Sequence, residues 1–160
     1  MTDGFIIRRM RLADVPRVME IEVECFTMPW SEATFRGLLR RTDADLYVAE
    51  VSGSVVGYTA FWSVVDQGEL GNVSVTAQWR GRGIGHRLVE TILDRAAERG
   101  VREVYLEVRV SNTGAQKLYH SYGFDRVGRR RNYYLDPVED ALVMRKTLDV
   151  VPLLRFREGS

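Results

Sequence analysis

The chain has 160 residues, a formal charge of +1 at pH 7, 45% apolar and 28% charged residues, which fits one globular domain with a sizeable core. No apolar run approaches the ~20 residues that span a bilayer, and Arg8, Arg9 and Arg11 interrupt any signal-peptide core near the N-terminus. One cysteine, Cys25, and two histidines favour neither an internal disulfide nor a structural zinc site; the expectation is a cytoplasmic protein with no metal, no membrane and no general case for nucleic-acid binding.

Residues 5–10 read as a first strand. A helix capped at or just before Asp14 runs to about Cys25, with Pro16 in its first turn, where a missing N–H costs little. Val15, Val18, Met19 and Val23 fall near helical spacing. The stretch from Phe26 to Trp30 breaks that helix, and Ser31 caps a short second one containing Thr34 and Phe35. Residues 45–51 and 55–65 form strands across a Ser-Gly-Ser turn, and Asp66, Gln67 and Gly68 turn the chain into a strand at 69–76. A helix over 84–97 carries Ile84, Leu88, Ile92 and Ala96 on one face and stops at Gly100. Residues 102–110 alternate, with Val104, Leu106, Val108 and Val110 on one side and Glu103, Tyr105, Glu107 and Arg109 on the other. Ser111, Asn112 and Thr113 start another helix, where Thr113 and Gln116 fit a capping box; Ala115, Leu118, Tyr119 and Tyr122 share its inner face and Gly123 ends it. Residues 124–134 and 141–148 are two further strands. The pattern is an α/β chain with a mixed, mostly antiparallel sheet and helices on both faces.

Between the strand at 69–76 and the helix at 84–97 lies Gln78-Trp79-Arg80-Gly81-Arg82-Gly83-Ile84-Gly85-His86. A helix N-terminus presents unpaired N–H groups and the positive end of the macrodipole, and glycines let backbone close on a ligand, so the turn reads as a phosphate cradle. A Walker loop needs Gly-Lys-Ser/Thr, which is absent. A dinucleotide fingerprint needs G-x-G-x-x-G in a first βαβ unit; the last glycine spacing is wrong and the preceding strands are hairpins. The pattern Arg/Gln-x-x-Gly-x-Gly/Ala, by contrast, is matched by Arg80, Gly83 and Gly85.

That last pattern resembles the pyrophosphate loop of the Gcn5-related N-acetyltransferases (GNAT), which bind acetyl-coenzyme A. Leu106-Glu107-Val108-Arg109-Val110-Ser111-Asn112, Leu118-Tyr119, Tyr122-Gly123-Phe124, Asn132-Tyr133-Tyr134 and Glu139-Asp140-Ala141 resemble the RimI-type ribosomal-protein N-terminal acetyltransferases and their archaeal and eukaryotic relatives. Met28-Pro29-Trp30-Ser31 with Phe35 is similar to the same family's substrate-side segment. The joint between Tyr134 and Glu139 is closer in length to archaeal members. The resemblance covers roughly residues 4–148, taken as a single domain, and leaves 149–160 as a tail of unassigned role.

The resemblance implies the GNAT acyl-CoA N-acyltransferase fold and acetyl-CoA-dependent transfer to a protein N-terminal α-amine through a ternary complex, with a ribosomal protein or a broader set of N-termini as substrate and a monomer or weak dimer as the working form. It implies Glu107 as general base, with Glu69 as a second candidate on the strand before the loop, and Tyr119 as general acid. Coenzyme A would be held by the backbone of Val73, Ser74 and Val75, by Arg80, Gly81, Arg82, Gly83, Ile84, Gly85 and His86, and by Asn112 on the pantetheine arm. Trp30, Phe35, Tyr133 and Tyr134 would wall the peptide entrance. Two alternatives stay open on sequence alone: a lysine or small-amine acetyltransferase on the same fold, and a non-catalytic coenzyme A-binding subunit. Arg129, Arg130 and Arg131 read as a charged edge strand, and Cys25 as a small buried apolar residue.

Overall fold

The computed structural model describes residues 4–149; nearly all of the tail set apart on sequence lies outside them. In chain order the elements are β1 (Ile6–Arg9), α1 (Val15–Cys25), α2 (Glu32–Arg40), β2 (Ala44–Val51), β3 (Ser54–Val64), β4 (Gln67–Val75), α3 (Ile84–Glu98), β5 (Glu103–Arg109), α4 (Thr113–Ser121), β6 (Asp125–Leu135) and β7 (Val138–Thr147). Short 3-10 turns at Leu12–Asp14 and Ala77–Trp79, which periodicity did not predict, lead into α1 and out of β4. The strands follow the order β1-β2-β3-β4-β5-β7-β6. β4 and β5 pair in parallel, whereas β1–β2, β2–β3, β5–β7 and β6–β7 are antiparallel, as the expected mixed, mostly antiparallel sheet requires. The described residues group into two compact units, one running up to Trp62 and including Leu70–Ile92, the other made of Ser63–Glu69 and the described residues from Leu93 onward.

The core of the first unit joins Val15, Val18 and Ile21 of α1, Phe35 and Leu38 of α2, Leu46 and Val48 of β2, and Tyr58 and Ala60 of β3. The inward stripe of α1 is Val15, Val18, Ile21 and Glu22. Val23, expected on that stripe, is 60% exposed, because a position one residue beyond Glu22 is rotated about 100° around the helix. Asp14 fixes the start of α1: Arg8 donates to it at 2.8 and 2.9 Å and the Arg11 N–H at 2.7 Å. Ser31 caps α2 as expected, accepting from the Thr34 N–H at 3.1 Å.

The second unit centres on β5, where Val104, Leu106 and Val108 are buried and the residues between them half-buried. β5 lies against β7 with Glu107 opposite Val143 and Arg109 opposite Ala141. The start of α4 corrects the expected capping box. Asn112 is the cap and accepts from the Ala115 N–H at 3.1 Å. The Gln116 amide donates instead to the carbonyls of Arg109 and Val110, at 3.1 and 2.8 Å, tying the helix to the end of β5.

Candidate active site

In the first unit, β4 alternates toward its end, with Ser74 buried between half-exposed Val73 and Val75. The start of β4, Gln67–Glu69, pairs in parallel with β5. Gly57 on β3 admits this strand end closely: a Cβ there would lie 2.8 Å from the Ser74 carbonyl oxygen. The Ser74 hydroxyl is buried with no hydrogen-bond partner among the described residues. After β4, Glu24 at the end of α1 accepts from the Thr76 hydroxyl and the Ala77 N–H, both at 2.8 Å, and so anchors the start of the loop. Arg80 turns back on the strand: its Nε donates to the Val75 carbonyl at 2.8 Å, and Nη2 lies 3.3 Å from the Cys25 sulfur and 3.8 Å from Glu24. Cys25 is half-buried, and burial pushes its thiol pKa up against the opposing effect of Arg80.

Gly81 and Gly83 have φ of 78° and 86°, a region costly for residues with a Cβ. Among the described residues nothing lies within 4 Å of a Cβ built on either, so the need for glycine there is conformational rather than steric. α3 then opens with the Arg87 N–H donating to the Gly83 carbonyl at 3.1 Å. The amides of its first turn have no acceptor within the helix. The side chains of Arg82, His86 and Arg87 are exposed around this turn, with the Arg82 guanidinium 4.4 Å from the centre of the Trp79 ring. Amide donors, a helix N-terminus and arginines form a donor set that fits a polyphosphate.

In the second unit, the register that aligns Glu69 with Tyr105 puts Glu107, two residues further along β5, on the same face as Tyr105. Arg130 of β6 forms an ion pair with Glu107, and the Tyr133 hydroxyl donates to the same carboxylate. Partial desolvation, then the Glu107 charge, push the Glu69 carboxyl up, while Arg130 opposes. Tyr134 stands edge-on to Tyr133 at 5.1 Å, and the Arg109 guanidinium lies 4.2 Å from its ring centre. Desolvation, then Glu107, push the Tyr134 phenol up to about 12. Tyr119 of α4 is buried against Phe124, ring centres 5.9 Å apart; burial, then Tyr134, hold its phenol well above the usual range. At neutral pH this buried phenol is protonated. The structure thus brings Glu69, Glu107, Arg130, Tyr133 and Tyr134 into one cluster, while Tyr119 is buried on α4 against Phe124.

Periodicity missed the residue that supports the segment around Trp30. Phe35, expected at an entrance, is fully buried and backs Trp30 from within the core, its ring 5.4 Å from Trp30 and 5.6 Å from Tyr58. Trp30 also packs on Trp62 at 6.0 Å. Glu22 accepts from the Trp30 N–H at 2.8 Å, from Asn72 Nδ2 at 3.2 Å and from the Tyr58 hydroxyl. The available signal was a carboxylate on the apolar stripe of α1. In the second unit Glu139 accepts from the Ser111 N–H at 2.6 Å and from Arg109 at 3.1 Å, and these bonds hold its carboxyl below the usual range. Among the described residues no helix is long and apolar enough to cross a membrane.

Residues 15–124 match the acetyltransferase (GNAT) family. The chain is 39% identical, over 89% of its length and 95% of the relative's, to a Bacillus subtilis protein provisionally named a ribosomal protein bS18-alanine N-acetyltransferase. It is 37% identical to the N-alpha-acetyltransferase RimI of Mycobacterium tuberculosis, covering 91% of this chain and 94% of that one. Among solved structures, the ribosomal-protein-S18-alanine N-acetyltransferase of Escherichia coli superposes with a TM-score of 0.84 at 32% identity, covering 91% of this chain and 95% of that one.

Proposed function

The chain belongs to the acetyltransferase (GNAT) family, and from that premise we propose that it transfers the acetyl group of acetyl-coenzyme A to the α-amine of a protein N-terminus, the terminal alanine of ribosomal protein bS18 being the first substrate to try. The observation that carries the reading is the Glu107 carboxylate, paired with Arg130 beside Tyr133 and Tyr134, with the buried phenol of Tyr119 on α4: acyl transfer to an amine needs both a proton acceptor and a proton donor. The names of the relatives supply the substrate.

When bound, acetyl-coenzyme A supplies the activated thioester. The amides from Gly81 to His86 and the guanidinium of Arg82 bind the pyrophosphate. Arg80, held by Val75 and Glu24, sets the shape of the loop. The main chain of Val73, Ser74 and Val75 offers N–H groups to the acyl carbonyl and the pantetheine amides. Asn112 uses its oxygen as helix cap and keeps its NH2 for the pantetheine arm. Glu107, oriented by Arg130 and Tyr133, takes the proton of the incoming ammonium through water, with Glu69 beside it as a second acceptor. An α-amine of pKa about 8 asks less of that base than a lysine of about 10.4. Tyr119 returns a proton to the departing thiolate. Trp30, Tyr133 and Tyr134 contact the first residues of the peptide.

Mass spectrometry of peptides incubated with the protein and acetyl-CoA tests this. Acetylation of the α-amine of an Ala-initiated peptide is expected. Modification of lysine side chains or small amines alone refutes the N-terminal reading, and coenzyme A binding without turnover refutes the enzyme reading.

A further inference from the structure

We infer that Glu22 is a positioning residue for peptide binding: its buried carboxylate pins the main chain at Trp30, and with it the substrate-side turn between α1 and α2. The inference rests on the N-terminal acetyltransferase reading above. Glu22 is 1% exposed, and its partners come from three separate places: the Tyr58 hydroxyl on β3, the Asn72 amide on β4 and the Trp30 N–H in the turn before α2. All three donors are neutral. A buried acceptor without a cation is costly unless its bonds are well made, so this carboxylate holds the surrounding chain to a narrow geometry. The turn has no slack on its other side. A Cβ added at Gly71 would meet Trp30 Cη2 at 2.6 Å and Trp62 Cζ3 at 2.8 Å. The indole therefore rests directly on the bare strand, while its own N–H group is tied to Glu22.

Both carboxylate oxygens are used. Oε2 takes the Trp30 N–H at 2.8 Å, Oε1 takes Tyr58 and Asn72 Nδ2 at 3.2 Å, and Asn72 Nδ2 also lies 3.4 Å from Oε2. A glutamine has one acceptor and one NH2 group. With its oxygen toward the Trp30 N–H, its NH2 faces Asn72 and Tyr58; the Asn72 amide can turn to present its own oxygen and the Tyr58 hydroxyl can accept, so glutamine can keep the pin. A methionine fills similar space but offers the Trp30 N–H no comparable acceptor.

The experiment pairs steady-state kinetics with amide hydrogen exchange followed by NMR on the full chain. In the wild type the Trp30 amide is expected to be protected although it lies outside any helix or strand; rapid exchange there overturns the inference without any variant. Glu22→Met is expected to speed Trp30 exchange and raise the peptide KM about tenfold, as for one buried hydrogen bond lost, while the acetyl-CoA KM stays within twofold. Glu22→Gln, which can keep the Trp30 N–H bonded, is expected to retain Trp30 protection and a peptide KM close to wild type. An unchanged peptide KM in Glu22→Met, or equal rises in both KM values, overturns the inference. If the wild type acetylates no peptide α-amine, the proposed function has failed, whereas Trp30 protection still reports on the pin by itself.

Discussion

Replacing Tyr119 by Phe is the sharpest test of the proton-donor assignment, because it removes one oxygen and little else. The ring is buried against Phe124 with centres 5.9 Å apart in an edge arrangement, and phenylalanine keeps that contact. The change in folding free energy should therefore stay near the ~1 kcal/mol of a single hydroxyl. The change in rate should be far larger. A positioned general acid contributes roughly 10²–10⁴-fold, so loss of the lower figure already raises the barrier by about 2.7 kcal/mol. Burial holds the Tyr119 proton in place, so at neutral pH the wild-type enzyme is almost wholly in its donor form and the full effect is visible. The assay is single-turnover release of coenzyme A thiol with enzyme in excess of acetyl-CoA and peptide saturating, which excludes product release as the limiting step. The expected result is a fall of at least about 100-fold with unchanged acetyl-CoA affinity and a melting temperature within a few degrees of wild type. A folded variant whose single-turnover rate stays within threefold of wild type refutes the assignment.

Gly83→Ala forces a side chain onto a backbone with φ of 86°; it should raise the acetyl-CoA KM several-fold and leave the peptide KM unchanged, measured by initial rates with each substrate varied. Glu107→Gln should lower kcat by at least about 100-fold if Glu107 is the base, with Glu69→Gln costing less; the reverse order in kcat against pH would move the assignment to Glu69. Asp14 is held below the usual carboxylate range, first by its hydrogen bonds from Arg8. Its contribution is complete above the unfolded value of about 3.9 and is lost as pH falls through the lower folded value. Asp14→Asn should therefore lower the melting temperature at pH 7 and flatten its decline below pH ~4.

Much of the fold was legible because period and punctuation agree along most of this chain. Val104, Leu106 and Val108 alternate and are buried alternately, Ile84, Leu88, Ile92 and Ala96 keep helical spacing and are all buried, and Ser31 caps where its side chain can reach Thr34. The loop was legible for a different reason: Gly81 and Gly83 occupy backbone angles that glycine tolerates far better than other residues. Polar partners left no such trace. Gln116 serves the carbonyls of Arg109 and Val110 rather than a capping box, and Glu22 occupies a stripe position that hydrophobicity would give to Val23. In both places a hydrogen bond made across sequence distance outweighs a local rule.

The Glu107 cluster shows why a motif carries more than its spacing suggests. On a straight strand Arg130 and Tyr133, three residues apart, would point to opposite faces. Yet Arg130 pairs with Glu107, and Tyr133 donates to that same carboxylate. The register explains this: from Arg130↔Ala141 to Tyr134↔Glu139 β6 advances four residues while β7 advances two. The extra length is absorbed in a bulge where Asn132 takes a φ of 50° and donates its N–H to Asp140 at 2.8 Å. Bulges re-aim side chains, and asparagine tolerates a positive φ better than most other side chains. Asn132 and Asp140 therefore act on the site without touching Glu107. They bend the edge strand so that a guanidinium and a phenol that alternation would separate converge on one carboxylate.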